Sequence, residues 1–153
     1  MKLLFLLAWT AFTLAAQDAP RAQIHGFLGI DNIAGHNFDA NSAGVGADVF
    51  VYKGAAVSPS GAWLYTRDNA RGLGVFTING SYHFLRGKSR VEPFVTAGYG
   101  ALTNFSGGQS TVNYGGGANF WFRRHLGFRA ELLNFQSSGY RELTTIRFGV
   151  SFR

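Results

Sequence analysis

Residues 126–153, LGFRAELLNFQSSGYRELTTIRFGVSFR, contain two runs of alternating apolar and polar side chains joined by a polar link. Alternation with period two sends successive side chains to opposite faces of a β-strand. In the second run Ile146, Phe148, Val150 and Phe152 share one face, and Thr145, Arg147, Gly149 and Ser151 the other. In the first, Leu126, Phe128, Ala130 and Leu132 oppose Gly127, Arg129, Glu131 and Leu133. One face is greasy, while the other is mostly small or charged. Two strands do not say which face points inward; the amino-terminal end decides that.

Met1 and Lys2 precede an apolar core, Leu3 to Trp9, and a small-residue exit through Ala15 and Ala16. A positive start, a short apolar stretch and a small-residue exit form a secretory leader, whereas a membrane-spanning helix needs about 20 apolar residues. The expected organisation is a signal peptide over residues 1–16 and one domain over 17–153.

Charged residues make up 14% of the 153-residue chain, against about 25% in ordinary soluble domains. Less of this surface is meant for water. Cysteine is absent, so an exported chain of this size must draw its stability from closed backbone pairing or burial in lipid rather than from disulfides. The formal charge is +6. Its basic residues, among them Lys53, Arg67, Arg71, Arg86, Lys88, Arg90, Arg123 and Arg124, fall in expected turns and loops. They form no basic helix or platform, which argues against nucleic-acid binding and fits contact with anionic lipid head groups.

Six more runs precede the opening pair. The first covers residues 24–30; the second, 43–52, sets Val45, Ala47, Val49 and Val51 against Gly44, Gly46, Asp48 and Phe50. The third, 55–65, carries Pro59, which cannot donate to a ladder and marks a bulge or an edge. The fourth sets Phe76, Ile78, Gly80, Tyr82 and Phe84 against Thr77, Asn79, Ser81 and His83; the fifth and sixth start near Glu92 and Asn113. Eight strands of about ten residues suit a tilted strand crossing a bilayer. Links after even-numbered strands read as short, and those after odd-numbered strands as longer.

With these residues in place, the chain resembles the small outer-membrane β-barrels, the eight-stranded OmpA-like and opacity-type proteins, over its whole mature length. The resemblance implies an all-β, eight-stranded antiparallel up-and-down transmembrane barrel in the outer membrane of a Gram-negative-type bacterium. Its partners would be membrane lipid, the barrel-assembly machinery during biogenesis and an unidentified extracellular partner. The family's assembly signal has a polar residue, a glycine two later, and aromatics three and five beyond that glycine. Arg147, Gly149 and Phe152 match its first three positions, and Arg153 stands one short of the last.

In that arrangement Asp48, His83, Glu92, Arg129, Glu131 and Arg147 face the lumen. A barrel of this size is only wide enough for side chains to fill, so these charges are expected to pair and plug it. Reflection about the 86–90 turn brings Glu92 near His83, and reflection about Gly139 sets Glu131 opposite Arg147 at the centre of the network. His25, His36, His83 and His125 have no metal-ligand spacing, and neither metal nor cofactor is expected. Some barrels of this fold act on lipid A with a His and Ser pair, but no Gly-x-Ser-x-Gly elbow occurs here. Ser58 or Ser81 near His83 would be ordinary lumen neighbours. Gly115, Gly116 and Gly117 precede no helix able to receive an anion and read as close-approach strand positions.

The expected role is structural or surface contact rather than catalysis. The candidate contact site is the loop over residues 31–42, with Asp31, His36, Asn37, Asp39 and Asn41, because loops on a rigid scaffold carry recognition. The alternatives are a narrow pore, a lipid-modifying enzyme, or a secreted lipocalin-like carrier, which would need a large apolar lumen.

Overall fold

Every stretch with period-two alternation forms a strand in the computed structural model, which describes residues 21–33, 40–66, 69–104, 107–137 and 140–153. The strands are β1 (Ala22–Ile33), β2 (Ala40–Tyr52), β3 (Ala55–Thr66), β4 (Asn69–His83), β5 (Val91–Asn104), β6 (Gly107–Trp121), β7 (Leu126–Ser137) and β8 (Tyr140–Phe152). Each pairs antiparallel with its sequence neighbours. β1 pairs with both β2 and β8, as in Ile24 opposite Ala47 and Ile24 opposite Phe152, so the sheet closes into a barrel. Closure removes the free edges that an open sheet would present. The expected signal peptide lies outside the described residues.

The distribution of side chains is inside out. Leu28, Val45, Ile78 and Tyr99 are at least 67% exposed, while Asp48, Glu92, Asn113 and Asn119 have no exposed surface. Fully burying a side chain such as Leu or Ile is worth about 1.5–3 kcal/mol relative to water, so this outer wall is built for an apolar medium. Aliphatic side chains fill its middle. Tyr52, Tyr82, Phe84, Phe120, Phe122 and Phe152 ring one end, and Trp63, Tyr65, Tyr99 and Tyr114 lie toward the other.

The first of those ends holds links 53–54, 84–90 and 122–125 together with the start of β1 and the finish of β8; it is called the turn end below. Lys53 takes a φ of 44° to close its two-residue link, a left-handed conformation uncommon outside glycine. The expected contrast in link length is absent. β3 stops at Thr66 and β4 starts at Asn69, β5 stops at Asn104 and β6 starts at Gly107, and the longest link, 84–90, is at the turn end. Residues 69–73 and 107–109 read as loop because they lack apolar alternation, yet they continue the strands, since backbone pairing extends a ladder whatever the side chains.

At Pro59 the ladder is interrupted as its missing N–H requires: β2–β3 pairing passes from Gly46 opposite Ser60 to Val49 opposite Val57. On the other side Pro59 still sits opposite Ile78 of β4. The interior has two zones. Toward the end opposite the turns, Ala40, Leu64, Val75, Leu133, Phe135 and Leu143 form a buried apolar cluster. The rest of the interior is mainly polar, with Phe27, Phe50, Phe94 and Trp121 buried among the polar side chains.

Candidate functional site: the sealed lumen

Strand periodicity delivers one polar side chain to the interior every second residue, and eight strands bring those side chains within reach across the barrel. Asp48 of β2, His83 of β4, Glu92 of β5, Arg129 and Glu131 of β7 and Arg147 of β8 are each at most 7% exposed. They form one chain of contacts. From the turn end, Arg153 lies 3.7 Å from Glu92, whose carboxylate is 2.8 Å from His83 Nδ1; His83 Nε2 is 3.6 Å from Asp48. Asp48 accepts from Arg129 at 2.9 Å, Arg129 reaches Glu131 at 3.3 Å, and Arg147 stands 3.9 Å from the other oxygen of Glu131. Because the Glu92 carboxylate accepts, Nδ1 of His83 carries the proton.

The expected pairs are therefore side by side, with two adjustments. His83 stands directly opposite Phe94, and Glu92 reaches it from the diagonal position. Glu131 is opposite Arg147, but the centre of the network lies at Asp48 and Arg129. Asp48 also accepts from Ser58 at 2.7 Å. Arg147 is drawn from Glu131 by Phe27, over whose ring its guanidinium sits at 4.4 Å.

That contact is one of a set. Arg129 lies 3.9 Å over Phe94, Arg153 lies 4.1 Å over Trp121, and Arg86, from the link after β4, lies 3.4 Å over Phe50. Each of these inward guanidiniums rests on an inward aromatic face, an attraction worth about 2 kcal/mol or more once desolvated. Sequence reasoning passed over these rings. The signal was present, since Phe27, Phe50, Phe94 and Trp121 are aromatics placed in the polar phase of their strands. Gly117 makes room for one of them: a Cβ there would lie 2.9 Å from Phe94 Cζ.

Other residues fill the turn end. Gln23 donates to Glu92 at 3.1 Å and accepts from Asn119 at 3.4 Å, and Ser151 donates to Asn119 at 3.3 Å. Gln23 stands one residue ahead of the apolar alternation that marks the first strand from residue 24, so the pattern alone does not include it. Arg153 crosses the mouth, donating from Nε to the Arg124 carbonyl at 2.9 Å. Arg86, donating to the Lys53 carbonyl at 2.8 Å, lies beside it. Both guanidiniums lie at the turn end of the lumen.

The expected loop over residues 31–42 is narrower than its bounds, because residues 31–33 and 40–42 belong to strands. Asp31 belongs to β1, shares the inward phase of Gln23, His25 and Phe27, is 1% exposed and accepts from Thr145 at 2.6 Å. Asn41 belongs to β2, opposite Tyr65, and is exposed. His36, Asn37 and Asp39 lie outside the described residues. Of the assembly-signal positions, Arg147 faces the lumen and Phe152 the outer wall. Gly149 lies against β1, where a Cβ would come within 3.0 Å of the Phe27 Cα. It lets the last strand close on the first.

A nucleophile would need its hydroxyl on His83. Ser58 instead bonds Asp48 and shares a 2.7 Å hydrogen bond with Ser81, and among the described residues neither serine bonds His83. No group of three His, Cys, Asp or Glu side chains among the described residues is arranged to hold a metal ion.

A closed eight-stranded antiparallel barrel has solved counterparts. The chain matches the N-terminal β-barrel domain of Pseudomonas aeruginosa OprF with a TM-score of 0.70 at 17% identity, over 89% of this chain and 98% of that one. The fold is that of the small outer-membrane barrels. Neisserial surface protein A matches with a TM-score of 0.65 at 10% identity, covering 89% of this chain and 99% of its own. Ail, the attachment invasion locus protein of Yersinia pestis, matches with a TM-score of 0.59 at 12% identity, covering 86% and 95%. No family model and no curated protein sequence matches the chain. The fold is shared where the sequence is not.

Proposed function

We propose that the protein is an integral outer-membrane barrel with a plugged, non-conducting lumen and a structural or surface-contact role. The observation that carries this reading is the inside-out wall, with aliphatic side chains between two aromatic bands and every buried carboxylate inside the barrel. Residues 1–16 support export by a signal peptide. Because the first strand starts and the last strand finishes at the turn end, that end is assigned to the compartment from which the chain arrives, and the opposite rim to the outside. Strands such as β4 and β6, each of 15 residues, exceed the 9–11 that span a bilayer. Their excess raises a rim beyond the apolar band. Surface contact is also the theme of the names carried by Ail and Neisserial surface protein A.

Catalysis has no support in the Ser58, Ser81 and His83 geometry described above. A lipocalin-like carrier would need an apolar cavity where the ion-pair chain stands. Flotation with lipid vesicles and gel mobility before and after boiling test the barrel. The expected result is a floating protein whose band shifts on heating; a freely soluble chain would end the reading. In planar bilayers the expected record is silence or rare small openings, whereas steady, large, weakly selective conductance would replace the plug with a pore.

A further inference from the structure

Exposed basic side chains gather at the turn end of the barrel. Arg21, Lys53, Lys88, Arg90, Arg123 and Arg124 are all exposed, and all stand at the turn end, on the start of β1 and on links 53–54, 84–90 and 122–125. Among the described residues none of them has a carboxylate within ion-pair distance. Among the described residues the one exposed carboxylate is Glu142, at the far end of β8, because Asp31, Asp48, Glu92 and Glu131 are all buried. The turn end therefore carries a collar of exposed basic side chains.

We propose that this collar binds the phosphate head groups of anionic glycerophospholipids in the leaflet at the turn end. The inference rests on the membrane reading above and adds a lipid class to it. The cations come from links distributed around the circumference, which suits an annulus of lipids better than a partner docked on one side. They also lie just beyond Tyr52, Tyr82, Phe84 and Phe122, outward aromatics of the kind that mark the membrane–water interface. Phosphates sit at that depth. A basic side chain near an anionic membrane surface contributes about 1 kcal/mol, equivalent to roughly fivefold.

The full chain, reconstituted in phosphatidylcholine vesicles, is probed by electron spin resonance with spin-labelled phosphatidylglycerol or phosphatidylcholine. About fivefold stronger retention of phosphatidylglycerol at the protein is expected, falling toward parity in about 1 M salt, where the screening length is about 3 Å. The quadruple variant K88Q/R90Q/R123Q/R124Q, checked for its heat-shifted band, should lose most of the preference. If that variant does not fold, the salt dependence of the unmodified chain decides. Equal retention of the two lipids, or a preference untouched by both salt and substitution, overturns the proposal. So does cosedimentation with peptidoglycan without a lipid preference, which would assign the collar to the carboxylates of its stem peptides. A chain that fails to float with vesicles would overturn the membrane reading as well; one that floats without a preference overturns the lipid class alone.

Discussion

Asp48 has no exposed surface and meets Arg129 at 2.9 Å, Ser58 at 2.7 Å and His83 at 3.6 Å. Removing one member of a buried pair leaves the other charge unsatisfied, at a cost of about 3–5 kcal/mol, whereas replacing both with fitted apolar groups is often nearly neutral. Asp48→Asn should therefore lower the unfolding free energy in urea by about 3–5 kcal/mol, with a D48L/R129M double replacement losing clearly less. Equal losses in single and double variants would show that the pair is not coupled. Glu131→Gln should be milder than Asp48→Asn, because Arg129 keeps its shorter bond to Asp48. Gly117→Val, whose Cβ would run into the Ala130 carbonyl oxygen and the Glu131 Cα as well as Phe94, should cost about 3 kcal/mol or more through overpacking against backbone, read as an earlier urea midpoint. At this scale the inward face was legible, because period two assigns each side chain a side. Which cation each acid prefers was not, since that depends on the rings that hold the guanidiniums.

Among the elements, the opening pair β7 and β8 showed its register plainly: Glu131 stands opposite Arg147 in the strands as in the reflected sequence. The extensions of β4 and β6 were hidden, because residues 69–73 and 107–109 lack apolar alternation and yet continue the ladders. Also unforeseen was the apolar cluster of Leu64, Val75, Leu133, Phe135 and Leu143. Its members, with Ala40, occupy the inward phase of five different strands, so no single strand announces them. Phe135, 2% exposed, anchors that end. Phe135→Ala should lower stability by about 3–5 kcal/mol, measured by urea unfolding in the same lipid, and a loss below about 1 kcal/mol would mean that the cluster is loosely packed.

For the molecule as a whole, the ion-pair chain and the apolar cluster are two closures in series along one axis. A single breach leaves the second in place, so Arg129→Ala and Phe135→Ala should each remain silent in planar bilayers while the double variant conducts. Conductance in either single variant would show that one closure alone seals the lumen. The Asp48–Arg129 bond spans 81 positions of sequence and joins the second strand to the seventh. Neither charge finds this partner until nearly the whole chain has arrived. A half-built barrel in hydrocarbon would hold a bare carboxylate on one side and a bare guanidinium elsewhere, each costing several kcal/mol. Insertion is thereby made an all-or-nothing event: the strands must gather where water still solvates them and cross into the membrane together.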